Sequence, residues 1–233
     1  MDPFANGWMM LTDDELPAAP AEAEAVFGAA LPRITEYAKR LATDGVVRGL
    51  IGPREVPRLW DRHLLNCAVV AELLEPEQSV VDVGSGAGLP GIVLAVLRPD
   101  LRVTLVESLA RRVAFLEECR DALQLTTLAV LRGRAEDAAT AAELSPADVV
   151  TARAVAPLDK LARWCLPLVR PGGRLLAIKG DSAEREVGEL RAAVERAGGT
   201  IEIRRCGVGV VEPPATVVEV TRRPAGRTER RRR

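Results

Sequence analysis

A glycine-rich turn between two apolar runs, at residues 80–91, is the feature that most constrains the fold of this chain. The run at 80–83 has the composition of a buried parallel strand. The glycines that follow stand at alternate positions, Gly84, Gly86 and Gly88. Because they lack a Cβ atom, they let the backbone turn sharply and approach a ligand closely. The segment predicts a strand, a nucleotide-binding turn and a helix.

The spacing of these glycines, G-x-G-x-G, differs from the G-x-G-x-x-G of turns that place a pyrophosphate on a helix N-terminus. An acidic residue, Asp82, stands two residues before Gly84. A carboxylate there favours a ligand with a cationic amino-acid end and no phosphate, such as S-adenosylmethionine (SAM). We predict that Asp82, Gly84, Gly86 and Gly88 bind this cofactor.

A second acidic residue ends the next predicted strand. The run at 101–106 alternates as a strand does, and Glu107 follows it, 21 residues after Gly86. At this spacing an acid accepts hydrogen bonds from ribose hydroxyls, so Glu107 and the adjacent Ser108 join the predicted cofactor-binding residues. In the alternative interpretation, Glu107 only caps the helix that begins near Ser108.

The whole chain, at 233 residues, is long enough for one large domain with an extension. The predicted organisation is a flexible N-terminus (1–20), an N-terminal helical extension (21–76), a SAM-binding core (77–221) and a basic disordered tail (222–233). That tail holds seven Arg against one Glu and can lie on RNA phosphates. The alternative is a solvated tail without a specific role.

Composition excludes several classes of protein. No run reaches the roughly 18 apolar residues of a membrane span, and residues 1–30 hold six acidic residues without any Lys or Arg, unlike a signal peptide. The four cysteines stand far apart and the chain has one histidine, so no metal site is expected. We predict a soluble, cytoplasmic, monomeric protein with reduced thiols.

Predicted strands and helices alternate from residue 80 onward, which indicates an α/β fold. The class is a Rossmann-like, mostly parallel seven-stranded sheet with helices on both faces. The predicted strands lie at 80–83, 101–106, 128–131, 149–152, 174–178, 200–204 and 216–220, and the predicted helices at 21–44, 56–75, 89–97, 108–123, 158–169 and 183–197. Ligands of such sheets bind at the carboxyl ends of the strands.

Two more features lie at those carboxyl ends. Residues 133–137 could hold an adenine through an acidic side chain and a backbone N–H, or they form an ordinary acidic first turn of the next helix. Arg153 ends the strand at 149–152. It could pair in bidentate fashion with a ligand carboxylate or an RNA phosphate, or form a structural salt bridge to a helix carboxylate.

Five motifs together resemble those of the 16S ribosomal RNA guanine-N7 methyltransferases, a family once called glucose-inhibited division protein B. The resemblance extends over residues 30–220. The motifs are Trp60–Leu65, Val81–Gly91, Glu107–Leu116, Arg153-Ala154 and Leu176–Gly180. The Leu89-Pro90-Gly91 end of the turn and the run Arg-His-Leu-Leu at 62–65 are specific, whereas the glycines alone are not.

The resemblance implies a class I SAM-dependent methyltransferase that methylates N7 of a guanine in the 530 loop of 16S rRNA, on free RNA or on the 30S subunit, and releases S-adenosylhomocysteine. It also implies that the cofactor contacts Gly84, Leu89, Ala135, Glu136 and Arg153. The chain departs from the family pattern at Asn66-Cys67, where Asp-Ser is usual. No role for an acid carries over to that point.

Guanine N7 has a free lone pair, so attack on a methyl group needs no catalytic base. We therefore expect no acid–base residue, but positioning by Arg153, His63 and Lys179. The expected RNA contacts are Arg62, His63 and Lys179. His63 has an alternative interpretation as a hydrogen-bonding residue at the edge of the core.

Two other functions stay open at this point. One is a non-catalytic SAM- or RNA-binding module. The other is a nicotinamide-dependent oxidoreductase, which the G-x-G-x-G spacing and the absence of a hydride-transfer acid disfavour.

Overall fold

A computed structural model describes residues 17–144, 146–153 and 155–224. Most of the predicted flexible N-terminus, 1–16, lies outside the described residues. The greater part of the predicted basic tail, 225–233, also lies outside them.

The core is a seven-stranded sheet in the order β3-β2-β1-β4-β5-β7-β6. β1 to β5 pair in parallel, and β7 runs antiparallel between β5 and β6. The strands are β1 Ser79–Val83, β2 Arg102–Glu107, β3 Leu128–Arg132, β4 Ala147–Arg153, β5 Val169–Lys179, β6 Gly199–Cys206 and β7 Ala215–Arg222. The predicted fold class and its mostly parallel sheet are confirmed.

The strand β5 is longer than the predicted strand at 174–178. Residues 171–173, whose Pro-Gly-Gly sequence is typical of a turn, lie within β5. Ala147 of β4 pairs with Val169 of β5, and the next pair is Val149 with Arg174. Between these two pairs, β5 therefore has more residues than β4. The extra residues therefore form a bulge at the start of the strand, where Gly172 has φ +78°.

Helices cover the sheet on both faces. The α-helices are α1 Ala21–Phe27, α2 Leu31–Arg40, α3 Asn66–Ala68, α4 Gly91–Leu97, α5 Ala110–Ala122, α6 Ala138–Glu143, α7 Leu158–Cys165 and α8 Ala183–Arg196. The 3-10 segments are 28–30, 53–58, 69–73 and 166–168, and the π-helical segments are 41–45 and 59–65. Among the described residues, no helix is long and apolar enough to span a membrane.

The predicted helices at 21–44 and 56–75 are not continuous α-helices. Gly28 has φ +45° and ends α1. The second stretch begins as a 3-10 helix that contains Pro57, and proline removes a backbone N–H that an α-helix would use. A π-helical segment, Leu59–Leu65, follows and contains His63.

Two apolar cores lie on opposite faces of the sheet. One joins the N-terminal helices to α4 and α5, with Ile34, Leu64 and Leu116 fully buried. The other packs α7 and α8 against the sheet through residues such as Leu161 and Val187. The N-terminal helices are thus part of the first core, which brings the segment 59–65 to the carboxyl end of β4.

Candidate active site

The predicted site residues at the strand ends lie side by side. Val83 of β1 is in register with Val106 of β2 and with Ala152 of β4. The next residue on each strand is therefore at the same level: Gly84, Glu107 and Arg153. Lys179 lies one residue beyond this row, because Arg153 of β4 pairs with Ile178 of β5. Four sequence-predicted positions share the carboxyl edge of the sheet, where ligands of open α/β folds bind.

The glycine turn has a left-handed backbone at Gly84, Gly86 and Gly88, with φ of +66°, +58° and +100°. A Cβ at Gly88 would lie 2.5 Å from the Ile92 side chain, so packing excludes one there. A Cβ at Gly86 would meet only the Gly84 carbonyl oxygen, at 3.8 Å. Gly86 therefore faces open space among the described residues, as a residue beside a ligand must.

Glu107 connects the end of β2 to the glycine turn. Its Oε2 accepts from the Gly86 amide at 3.0 Å, and its Oε1 accepts from the Leu109 amide at 2.9 Å, just before α5. Arg112 Nη1 lies 3.5 Å from Oε2. Both interpretations of Glu107 have support, since it contacts the turn and the start of the helix. Its bond to ribose stays a prediction.

Asp82 is fully buried and has partners inside the protein. Its Oδ1 accepts from Thr151 Oγ1 at 2.9 Å, and its Oδ2 accepts from the Gly91 amide at 3.2 Å. Burial raises the pKa of Asp82 to about 6. The carboxyl thus ties β1 to β4 and to the start of α4, and a contact with the cofactor stays a prediction.

Tyr37 lies in the helix predicted at 21–44 and contacts the glycine turn from the N-terminal extension. It is fully buried in α2, and its hydroxyl donates to the Ala87 carbonyl at 2.6 Å. Burial raises the pKa of Tyr37 well above its usual value, so the hydroxyl stays protonated. The N-terminal extension therefore supports the glycine turn directly. Leu89, at the end of that turn, is partly buried.

Arg153 contacts the segment 62–67 instead of a helix carboxylate. It donates through Nη1 to Cys67 Sγ at 3.2 Å, and through Nη2 to the Arg62 carbonyl at 3.1 Å and to His63 Nδ1 at 2.7 Å. On its other side, His63 Nε2 lies 2.8 Å from Glu55 Oε2. Arg153 and His63, predicted separately, form one cluster, and Glu55 is a member that the sequence did not indicate.

Lys179 is mostly buried and has protein partners. Its Nζ donates to the Ala156 carbonyl at 3.0 Å and to Glu186 Oε1 at 3.1 Å. The same carboxylate oxygen accepts from the Leu158 amide at 2.6 Å. Lys179 and Glu186 thus hold the start of α7. RNA contact by Lys179 stays a prediction.

The predicted adenine segment follows β3. Ala135 is buried, whereas Glu136 is exposed, with Arg134 Nη1 at 3.8 Å from its Oε1. The Arg134 amide donates to Thr140 Oγ1 at 3.2 Å, in α6. Adenine binding and an ordinary first turn both remain compatible with these contacts. In the described part of the chain, no group of His, Cys, Asp or Glu side chains could hold a metal ion.

Comparison with known proteins gives strong sequence matches. The family model described as rRNA small subunit methyltransferase G matches residues 30–205. A protein of Salinispora tropica named ribosomal RNA small subunit methyltransferase G is 61% identical over 211 residues, covering 88% of this chain and 87% of that protein. A protein of the same name from Rhodococcus jostii is 56% identical, covering 90% and 92% of the two chains.

Solved structures agree on the fold at low sequence identity. An O-methyltransferase family protein from Burkholderia thailandensis has a TM-score of 0.56 and 19% identity, covering 88% of this chain and 71% of that one. M. jannaschii TYW2 in complex with AdoMet has a TM-score of 0.54 and 19% identity, covering 70% and 77%. At these identities the likeness shows the fold alone.

Proposed function

This chain belongs to the rRNA small subunit methyltransferase G family, and from that membership we infer that it transfers a methyl group from SAM to N7 of a guanine in the 530 loop of 16S rRNA. The family resemblance in the motifs is confirmed, and the chain is a small-subunit rRNA methyltransferase. Membership favours this function over the nicotinamide-dependent and non-catalytic alternatives.

One observation carries the proposal for the cofactor: the Glu107 carboxylate lies against the Gly86 amide, at the level where β1 and β2 end. Gly86 leaves room for a ligand, and Glu107 can accept from ribose hydroxyls. Leu109, whose amide contacts Glu107, and Val155, whose side chain lies against Gly84, are exposed apolar side chains that can cover apolar parts of a nucleoside. These features fit SAM, and S-adenosylhomocysteine is the proposed product.

SAM supplies an electrophilic methyl group on a sulfonium. The work left to the protein is to hold the nucleophile in line and to exclude water, and near-attack geometry of this kind can supply roughly 7–11 kcal/mol. We assign positioning to Arg153, which is held at the edge of the sheet and has N–H groups to spare. No residue needs to take a proton from N7.

The proposed partner is 16S rRNA, free or in the 30S subunit, and the proposed place of action is the bacterial cytoplasm, where ribosomes are assembled. Arg54, Arg58 and Arg62 are exposed in the stretch 53–65, whose last residues contact Arg153. Their guanidinium groups suit phosphate binding beside the cofactor. We propose Arg62 as an RNA-side residue on this ground. His63 is buried and both of its ring nitrogens have protein partners, so RNA contact by His63, like that by Lys179, is a proposal that needs its own test.

The proposal is tested by mapping N7-methylguanine in 16S rRNA from cells with and without the gene. We expect the modification at one guanine of the 530 loop to disappear with the gene and to return on complementation. Calorimetry with the purified protein should show binding of SAM and none of NAD. Persistence of N7-methylguanine at that position in the deletion strain would overturn the proposal.

A further inference from the structure

The guanidinium of Arg153 is oriented by the N-terminal extension. Cys67 Sγ, the Arg62 carbonyl and His63 Nδ1 accept three of its five N–H groups. Among the described residues, the other two N–H groups have no hydrogen-bond partner in the protein. The direction in which they point depends on the three acceptors.

The contacts of His63 with Arg153 and with Glu55 together fix which of its nitrogens carries the proton. A guanidinium only donates, so Nδ1 must accept and carries no hydrogen. Nε2 then carries the hydrogen and donates to Glu55 Oε2 at 2.8 Å. An imidazolium would point a second N–H at Arg153. Neutral His63 with its proton on Nε2 is the form that satisfies both contacts.

The charges around His63 agree with this assignment. Burial and then Arg153 lower the pKa of His63; the hydrogen bond and charge of Glu55 oppose the shift, and Arg62 adds to it. The pKa of Glu55 is lowered, first by its hydrogen bond to His63. Glu55 is therefore ionised at neutral pH and can only accept hydrogen bonds.

We propose that Glu55 is a positioning residue for methyl transfer, acting through His63 to hold the Arg153 guanidinium at the edge of the sheet. Its Oε1 accepts from Arg62 Nη1 at 3.2 Å, so the carboxylate is held from two sides. The role rests on the proposed function of the site. A carboxylate only accepts, so Nε2 must carry the hydrogen and Nδ1 is left to accept from Arg153. A glutamine amide can also donate to Nε2, which allows the tautomer with its hydrogen on Nδ1, and that tautomer loses the contact with Arg153.

The tautomer can be measured directly because His63 is the only histidine of the chain. In untagged protein with 15N-labelled histidine, imidazole NMR at neutral pH should show one neutral species with its proton on Nε2. Glu55→Gln keeps the size of the side chain, and we expect a mixture of tautomers. Glu36→Gln removes a pair with Arg40 inside α2 and should keep the wild-type spectrum.

Turnover is measured on the same proteins with 30S subunits and saturating SAM. Glu55→Gln should lower kcat about tenfold, because a displacement of about 1 Å near the reacting atoms can cost about 100-fold. Glu36→Gln should keep the wild-type kcat, and both variants should keep the wild-type Tm. A structural defect would lower the Tm. The expected loss of kcat instead accompanies the change in the tautomer of His63, while the Tm stays unchanged.

Three results would overturn the proposal: a wild-type proton on Nδ1 or on both nitrogens at neutral pH, an unchanged spectrum in Glu55→Gln, or an unchanged kcat beside an altered spectrum. A wild-type enzyme with the expected tautomer but no transfer to 30S subunits would be a different failure. It would refute the proposed function, and with it the role in turnover, while the hydrogen-bonded arrangement stands.

Discussion

The carboxyl edge of the sheet has two halves that are held in different ways. In the glycine-turn half, residues 79–107, the two groups predicted to meet the cofactor, a backbone amide and an acid from one βαβ unit, contact each other directly, and Tyr37 of α2 also supports the turn. In the cation half, Arg153 and Lys179 are held by other elements. The partners of Arg153 lie 86 to 91 residues earlier in the chain, and α8 supplies the carboxylate that holds Lys179.

This difference predicts that the two halves affect different kinetic quantities. The glycine-turn half offers an open backbone and an acceptor, and such groups bind a cofactor equally in the ground state and the transition state. The cation half fixes the direction of charged side chains, which affects the geometry of the reacting groups. Changes in the first half should alter the Kd for SAM, and changes in the second should alter kcat.

The largest effect is expected from Gly86→Val. The new side chain would fill the open space beside the turn, so calorimetry should detect no SAM binding. Gly49→Val is the matched control, since Gly49 also has positive φ, +66°, and open space around it. Both variants carry a left-handed backbone cost of about 1–2 kcal/mol. A folded Gly86→Val protein with wild-type SAM affinity would contradict the assignment.

Arg153→Lys should lower kcat by about 10- to 100-fold, because lysine keeps the charge but cannot reach three acceptors with one planar group. Thermal melting should change little. Arg163→Lys, which alters an exposed pair with Asp159 inside α7, is the control and should keep full activity. A Tm several degrees lower together with a wild-type kcat in Arg153→Lys would show that Arg153 stabilises the fold and does not position the reacting groups.

Glu107→Ala should weaken SAM binding by about 1–3 kcal/mol, through loss of hydrogen bonds to a charged group. The variant also loses the contacts to Gly86 and Leu109, so a second variant, Glu107→Gln, keeps one acceptor and should lose less affinity. Glu117 is exposed on α5, so Glu117→Ala removes the same charge away from the site and should keep the wild-type Kd for SAM. An unchanged Kd in Glu107→Ala would leave only the helix-capping role.

The smallest effect concerns Lys179 and Glu186. A double-mutant cycle with Lys179→Met and Glu186→Gln should give a coupling of about 0.5–3 kcal/mol in the free energy of unfolding, as for side chains in contact. The RNA contact predicted for Lys179 is tested on the single variant Lys179→Met. If Lys179 binds a phosphate, the log–log slope of RNA affinity against salt concentration becomes shallower by about 0.7–0.9, whereas an unchanged slope leaves Lys179 with its structural role alone.

The sequence predicted the glycine-turn half because its signals are local: an apolar run, glycines at fixed spacing, and an acid on the next strand. The seven strands were predicted for the same reason, from alternation and turn residues. The helix predicted at 56–75 was wrong as a continuous α-helix, since Pro57 and the π-helical segment interrupt it.

The cation half was only partly predictable. Arg153 and His63 stood out singly, but nothing in the spacing of residues indicated that they touch across 90 residues or that Glu55 lies behind His63. The bond from Tyr37 to Ala87 was missed for the same reason. Such contacts depend on how the N-terminal helices pack on the sheet, which a periodic pattern does not specify.

The difference between the two halves is tested most directly by single-turnover methyl transfer to 30S subunits as a function of SAM concentration, with Glu107→Ala and Arg153→Lys side by side. If the glycine-turn half binds SAM and the cation half positions the reacting groups, Glu107→Ala needs more SAM but approaches the wild-type rate at saturation, while Arg153→Lys stays slow at every concentration. The reverse pattern, a slow Glu107→Ala at saturation and an Arg153→Lys rescued by SAM, would contradict it.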